Sequence, residues 1–357
     1  MNGSGRIKWG VVAACLALMI FGVTGLLSRE EPERTPALPM LSISETTATS
    51  MGYEGYMAYD ISELINANPW KKDSETSVLP VFQNTVTYNS GVIAAGADFD
   101  KMEALLLDVA GRLGLDTNSL AITDKEWDDE TQQLIIKADG LKIEVDQAMT
   151  AKVTFNPPVP LPEEYNFTHF APYDDKAAAA EYLKSKYAAF IGFDNPRVNI
   201  YGGDYNIYNQ QKYSIEFFDT NGIETEQLIN YSFNRVTFGC NDEGRLFIAR
   251  IYQPDLSVKI GDYPIIDSRQ AKELLLKGNY ITTVPYEISE KEFIKKAELV
   301  YRTGEGEECF MPYYRFYVEL PDKEQENGLK TYGAYYVPAV EGSYISNMPV
   351  WDGGFQE

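Results

Sequence analysis

Between residues 98 and 345 the chain states one arrangement three times: an acidic cap, a helical apolar period, then aromatic or β-branched runs. In "DFDKMEALLLDVAGRLG", Met102, Leu105, Leu106, Val109 and Leu113 recur at the i, i+3, i+4 spacing of a helix with one buried face. Gly114 behind them suits a left-handed stop. "QQLIIKAD" and "LKIEVDQAMTAKVTF" then read as strands, with Asp139-Gly140 as the tight turn between them.

A second helix is predicted from Asp174 or Asp175, with Ala178, Tyr182, Ala189 and Phe190 on its inner side. Its strands form a meander of "RVNIYGG", "KYSIEFFDTNG", "QLINYSFNRVTFGCNDEG" and "RLFIARIYQ", turned at Asn221-Gly222 and at residues 241–244. The third helix spans residues 267–278, where Asp267 and Gln270 make a D-x-x-Q capping box. Ser289 and Glu292 repeat that pattern ahead of a short helix at 290–296. In "YYRFYVEL" the alternation is strict. Tyr314, Phe316, Val318 and Leu320 are predicted on a buried face, and Tyr313, Arg315, Tyr317 and Glu319 on a wet one. "TYGAYYVPAVEGSYI" supplies the neighbouring strand, which ends or lies on an edge at Pro338 because proline cannot donate to a ladder.

Ahead of these units the pattern changes twice. Residues 9–27 are uncharged and apolar and follow Arg6 and Lys8. Nineteen residues at 1.5 Å each span roughly 28 Å, the hydrocarbon thickness of a bilayer. The basic flank predicts a cytoplasmic N-terminus and an exported remainder. An uncleaved anchor fits the length best. Cleavage after Gly25, or lipidation of Cys15 in "VAAC", are the alternatives, although the apolar run continues past Cys15 and no A-x-A site is present. Residues 28–50 are rich in Pro, Ser, Thr and charge without apolar period, and read as a tether.

The predicted fold class is therefore α+β: antiparallel β-meanders each packed with an amphipathic helix, preceded by one N-terminal transmembrane helix. Its expected parts are a cytoplasmic end (1–8), the anchor (9–27), the tether (28–50), and exported units at 51–157, 163–262 and 263–350. "PPVPLP" at 157–162 is the strongest boundary signal between units.

Composition narrows the partners. Acidic residues outnumber basic ones 53 to 31, a formal net charge of −22, and such a field repels nucleic acid. The lipid bilayer, through residues 9–27, and an exported or membrane protein are the expected partners. Small residues Ala14, Ala17 and Gly22 would let another membrane helix approach closely. No cofactor is expected.

A membrane-anchored chain carrying exported helix-plus-meander units is similar to the YycH/YycI proteins and to PepSY-type modules, the latter also through "YYVPAVEG". The run from "YITTVPYEI" through "MPYYRFYVELP" to "GSYISNMP" resembles a group of uncharacterised Gram-positive membrane-anchored proteins, which implies no activity. The YycH/YycI likeness implies regulation of a partner sensor kinase, and the PepSY likeness restraint of peptidases.

Chemistry is sparse in the letters. "DKEWDDE" places Asp124, Glu126, Asp128 and Glu130 at alternate positions, but it lacks the glycine and the spaced bidentate Glu of a calcium loop, so it reads first as solvated acid. "YGGDYNIYNQQKY" gathers Tyr201, Tyr205 and Tyr208 with Asn206 and Asn209, rings and amides suited to a peptide or glycan, or simply to a half-exposed hairpin. Tyr53, Tyr56 and Tyr59 form a further aromatic stripe that docks on a partner or folds back. His169 is the sole histidine and reads as a loop residue; Cys240 and Cys309 read as unpaired buried thiols. G-x-S-x-G, H-E-x-x-H, P-loop and C-x-x-C motifs are absent. The reading is a non-catalytic binding or regulatory protein, with a cell-wall glycan module as the alternative and an exported hydrolase behind both.

Overall fold

A computed structural model describes residues 37–43, 64–86, 88–89, 92–93, 98–117, 125–128, 133–205, 208, 210–282, 284, 286–288, 290–304, 306–320 and 330–351. The strands are β1 (Val78–Gln83), β2 (Tyr88–Asn89), β3 (Val92–Ile93), β4 (Lys125–Asp128), β5 (Gln133–Ala138), β6 (Leu141–Val145), β7 (Thr150–Val159) and β8 (Pro196–Tyr205). They continue with β9 (Gln211–Asp219), β10 (Arg235–Cys240), β11 (Leu246–Tyr252), β12 (Lys259–Pro264), β13 (Ile294–Tyr301), β14 (Cys309–Phe310), β15 (Pro312–Glu319) and β16 (Tyr332–Pro338). The α-helices are α1 (Phe99–Arg112), α2 (Tyr173–Lys186), α3 (Ala188–Ile191), α4 (Glu224–Phe233) and α5 (Ser268–Leu276).

Eight strands make the central sheet, in the order β4-β5-β6-β7-β11-β10-β9-β8 and antiparallel throughout. Two three-stranded sheets, β12-β1-β14 and β13-β15-β16, are also antiparallel. The chain is thus α+β with antiparallel sheets, as the patterning predicts. Residues 40–357 form one compact unit, and of the preceding unit, Met1–Pro39, only residues 37–39 are described. Among the described residues no helix is long and apolar enough to cross a membrane; residues 9–27, with Ala14, Ala17 and Gly22, lie outside them.

Local rules explain much of this. Asp98 caps α1 by accepting from Lys101 N at 3.1 Å, and Met102, Leu105, Leu106, Val109 and Ala110 are its buried face. Gly114 takes φ +83° just past the end, where an L side chain would be strained. Asp139 and Gly140 both have positive φ, 49° and 76°, the conformation a two-residue hairpin between β5 and β6 needs. The α5 capping box closes reciprocally: Gln270 N donates to Asp267 Oδ1 at 2.7 Å and Asp267 N to Gln270 Oε1 at 2.9 Å.

Several expectations are corrected. "PPVPLP" does not separate two sheets: β7 runs through Pro157 and Pro158 to Val159, and β7 pairs with β11, so strands from both sides of it share one sheet. "QLINYSF" is helix α4, not strand, because Glu226 reaches back to accept from Ile223 N at 2.8 Å and Leu228 and Tyr231 fall on one buried face. The second helix is rotated from its predicted phase. Phe190 is buried and Tyr182 packs on the core as expected, but Lys176, Ala179, Ala180 and Leu183 are inside while Ala178 and Ala189 are exposed, since four alanines give no apolar asymmetry and Lys176 finds a buried partner in the Phe167 carbonyl. Only residues 291–293 of the predicted short helix form a turn of 3₁₀; strand β13 begins at Ile294.

One face of the central sheet carries an extended core, where α1, α2 and α3 pack on Ile143, Val153, Ile215, Phe217, Val236 and Ile251. The β13-β15-β16 sheet buries Leu299, Tyr314, Phe316, Val318, Tyr335 and Val337 against Ala271 and Leu275 of α5. Its other face, expected to be wet, is buried as well: Tyr313 is 0 %, Arg315 7 % and Tyr317 7 % exposed. The alternation was legible. That both faces are covered was not.

Candidate functional site

Strand alternation dictates what the second face of the central sheet holds. Val198 and Ile200 of β8, Ile215 and Phe217 of β9, and Val236 and Phe238 of β10 face the helices, so Asn199, Tyr201, Glu216 and Arg235 must project from the opposite side. There they meet α4 through Tyr231 and Ser232, and the polar face of the small sheet through Arg315 and Tyr317. Together they line a cleft of about 160 Å³.

Each charge in the cleft is held by a neighbour. Arg315 is directly opposite Glu298 in the β13–β15 register and donates Nε and Nη2 to Glu298 Oε2 at 3.1 and 2.6 Å. Lys296 pairs with the second oxygen of that carboxylate. Across the cleft, Asn199 Nδ2 donates to Glu216 Oε1 at 3.3 Å and Arg235 Nη1 to Glu216 Oε2 at 3.4 Å, the latter at the long end of a hydrogen bond. Arg235 and Arg315 also lie over rings, Tyr252 at 4.9 Å and Tyr317 at 5.3 Å. The rim is closed by residues 66–68. Ala67 N donates to Asn199 Oδ1 at 2.9 Å and Asn68 Nδ2 to the Leu299 carbonyl at 3.1 Å, linking β8, an edge of the central sheet, to β13, an edge of the small one. Deep in the wall, Tyr301 donates its hydroxyl to the Pro80 carbonyl at 2.8 Å, and burial holds its phenol well above the usual range.

The chemistry follows from these groups. Two guanidiniums and one carboxylate line the cleft, in a chain whose formal net charge is −22. Guanidinium, carboxamide and phenol groups offer hydrogen bonds to carbonyl and carboxylate oxygens, and the rings offer flat apolar contact. A volume near 160 Å³ resembles a cavity that holds one ring-sized group, well below the few hundred Å³ of a typical whole-ligand pocket.

Of the tyrosine–amide cluster, Tyr201 lines this cleft, and Tyr208 stands 74 % exposed between β8 and β9. Tyr205 is the last residue of β8, while Asn206 and Asn209 lie outside the described residues. Of the acidic run, Glu126 and Asp128 belong to β4; Asp124 and Glu130 lie outside the described residues, as do Tyr53, Tyr56 and Tyr59. Among the described residues no group of three or more His, Cys, Asp or Glu is placed to hold a metal ion. Cys240 and Cys309 are both buried free thiols.

Sequence reasoning missed Asn199, Glu216, Arg235 and Arg315. One signal was available for Arg315, a charge set between Tyr313 and Tyr317 in its strand; Asn199, Glu216 and Arg235 share their faces with Arg197, with Lys212 and Ser214, and with Thr237, so nothing local set them apart. No family model and no curated protein matches the chain.

Proposed function

We propose that this chain is a single-pass membrane protein whose exported α+β body binds a protein or peptide partner as a regulatory, non-catalytic component. What supports the reading is the cleft between the two sheets, where the guanidiniums of Arg235 and Arg315, held in place by Glu216 and Glu298, lie with Asn199 beside tyrosine rings in a space the size of one side chain. A peptide supplies both halves of that recognition, a residue to insert and main-chain carbonyls to accept hydrogen bonds. The anchor at residues 9–27 holds the body at the membrane, and Ala14, Ala17 and Gly22 offer a second, lateral contact to a partner span.

The test is crosslinking in intact cells with a photoreactive amino acid in place of Tyr201. A discrete protein adduct, lost when Arg235→Ala is added, is the expected result. Absence of any adduct at Tyr201, with an otherwise folded and membrane-inserted protein, would overturn it. The exposed Tyr208 ring favours a second reading, a cell-wall glycan surface. Binding of purified peptidoglycan fragments that is abolished by Tyr208→Ala and untouched by Arg235→Ala would select that reading.

A further inference from the structure

At the opposite end of β10 from Arg235, residues from three elements meet around a thiol. Cys240 is the last residue of β10 and is 8 % exposed. Its Sγ lies 3.6 Å from Nδ1 of His169, within range of a sulfur hydrogen bond. The far edge of the imidazole, Nε2, lies 3.8 Å from Asp242 Oδ1, close enough to attract an N–H without forming a good hydrogen bond. The sole histidine and a cysteine 71 positions away are thereby brought together.

The imidazole is held there from two sides. Residues 241–245 form a tight turn, Asn241 N donating to the Arg245 carbonyl at 2.9 Å and Gly244 N to the Asn241 carbonyl at 3.0 Å. Gly244 has φ +73°, and a Cβ there would stand 2.9 Å from the Thr168 methyl, so only glycine lets this turn close on the His169 loop. From beneath, Lys176 of α2 donates to the Phe167 carbonyl at 3.3 Å and lies over the Phe167 ring at 4.8 Å. The groups facing the imidazole are Lys176 from α2, Lys212 from β9, Asp242 from the turn and Cys240 itself. Burial, with the two lysines, holds the imidazole below its ordinary range, and Asp242 opposes them. Burial pushes the Cys240 thiol up, with Lys176 and Lys212 opposing. Those directions favour a neutral thiol beside a neutral imidazole, and the tautomer with its proton on Nε2, facing Asp242, leaves Nδ1 to accept from the thiol.

We propose that Cys240 is a covalent modification site, a thiol that reacts with small disulfides while His169 acts as its base and Asp242 orients the imidazole. Cys240 sulfur attacks one sulfur of R–S–S–R as Nδ1 takes the thiol proton. A new sulfur–sulfur bond forms, the old one breaks, and the proton passes to the departing thiolate. The products are the mixed disulfide at Cys240 and one R–SH, with the disulfide as the only oxidant. The couple reaches solvent through His169, whose side chain is 34 % exposed. Cys309 is the built-in contrast. Burial, with Glu307 and Glu308 as its charged neighbours, pushes its thiol up to about 12.

The experiment exposes the full chain in detergent micelles to glutathione disulfide, with site-resolved mass spectrometry following Cys15, Cys240 and Cys309 separately. Capture at Cys240 is expected to outpace capture at Cys309 by at least about tenfold, and His169→Gln to slow Cys240 by about tenfold or more, the low end of what a positioned base contributes. Asp242→Asn should slow it about two- to threefold. In the unsubstituted protein the Cys240 rate should be flat above the imidazole pKa and fall below it. A Cys240 rate that instead climbs tenfold per pH unit from pH 6 to 9, or one no faster than that of Cys309, overturns the proposal, and neither outcome depends on a variant folding.

Discussion

Arg302 follows the last residue of β13 between two residues that line the cleft, Tyr301 and Thr303, and its side chain is 0 % exposed. Nε meets Glu307 Oε1 at 3.0 Å, and the guanidinium lies 5.1 Å from the Tyr313 ring and 5.8 Å from that of Tyr336. Replacing it by methionine keeps the apolar stem but leaves the Glu307 carboxyl, itself 3 % exposed, without that cation. Breaking a buried pair from one side costs about 3–5 kcal/mol. Burial already drives the Glu307 carboxyl above the usual carboxylate range, with Arg302 opposing, so Arg302→Met raises it further. The sign then follows. A folded state that holds this proton more tightly than the unfolded state gains stability below pH 4.5, the ordinary value, and loses it as pH rises through the folded value. The deficit of Arg302→Met should therefore be full near pH 8 and shrink by about 1.4 kcal/mol per pH unit on acidification between the variant's folded value and the lower folded value of the unsubstituted protein. Urea denaturation of the chain from Ala37 onward, followed by tryptophan fluorescence from pH 5 to 8, measures it. Adding Glu307→Gln should recover at least about half of the loss at pH 8, because no charge is then buried. A deficit equal at pH 5 and pH 8, or a double variant no more stable than the single one, would refute the reasoning.

Two further predictions concern the helices. Leu106→Ala in α1, at a fully buried position, should cost about 2–5 kcal/mol by cavity formation, whereas Phe99→Ala, at 52 % exposure, should stay within about 0.5 kcal/mol; denaturation midpoints separate them. Asp267→Ala removes one half of the α5 capping box and should cost about 1 kcal/mol, while Asp267→Asn retains an acceptor and should be nearly silent in a thermal melt.

Features that depend on neighbours within a turn or two were readable directly from the residues. The buried face of α1, the Asp267–Gln270 box, the Asp139-Gly140 hairpin, and the end of β16 at Pro338 were all legible, because caps, turns and periodicity act over a few residues. Tertiary structure alone decided the rest. Whether the Arg315 face of β15 meets water or another sheet is not written in its alternation, since a polar stripe looks the same when wetted as when satisfied by Glu298. The phase of α2 turned on a lysine that burial would ordinarily exclude, admitted because the Phe167 carbonyl and ring receive its ammonium. Cys240 and His169, 71 residues apart, became neighbours only because the turn at Gly244 closes over the loop at Thr168. Long-range contacts of this kind depend on which surfaces pack together, and local propensity carries no information about that choice.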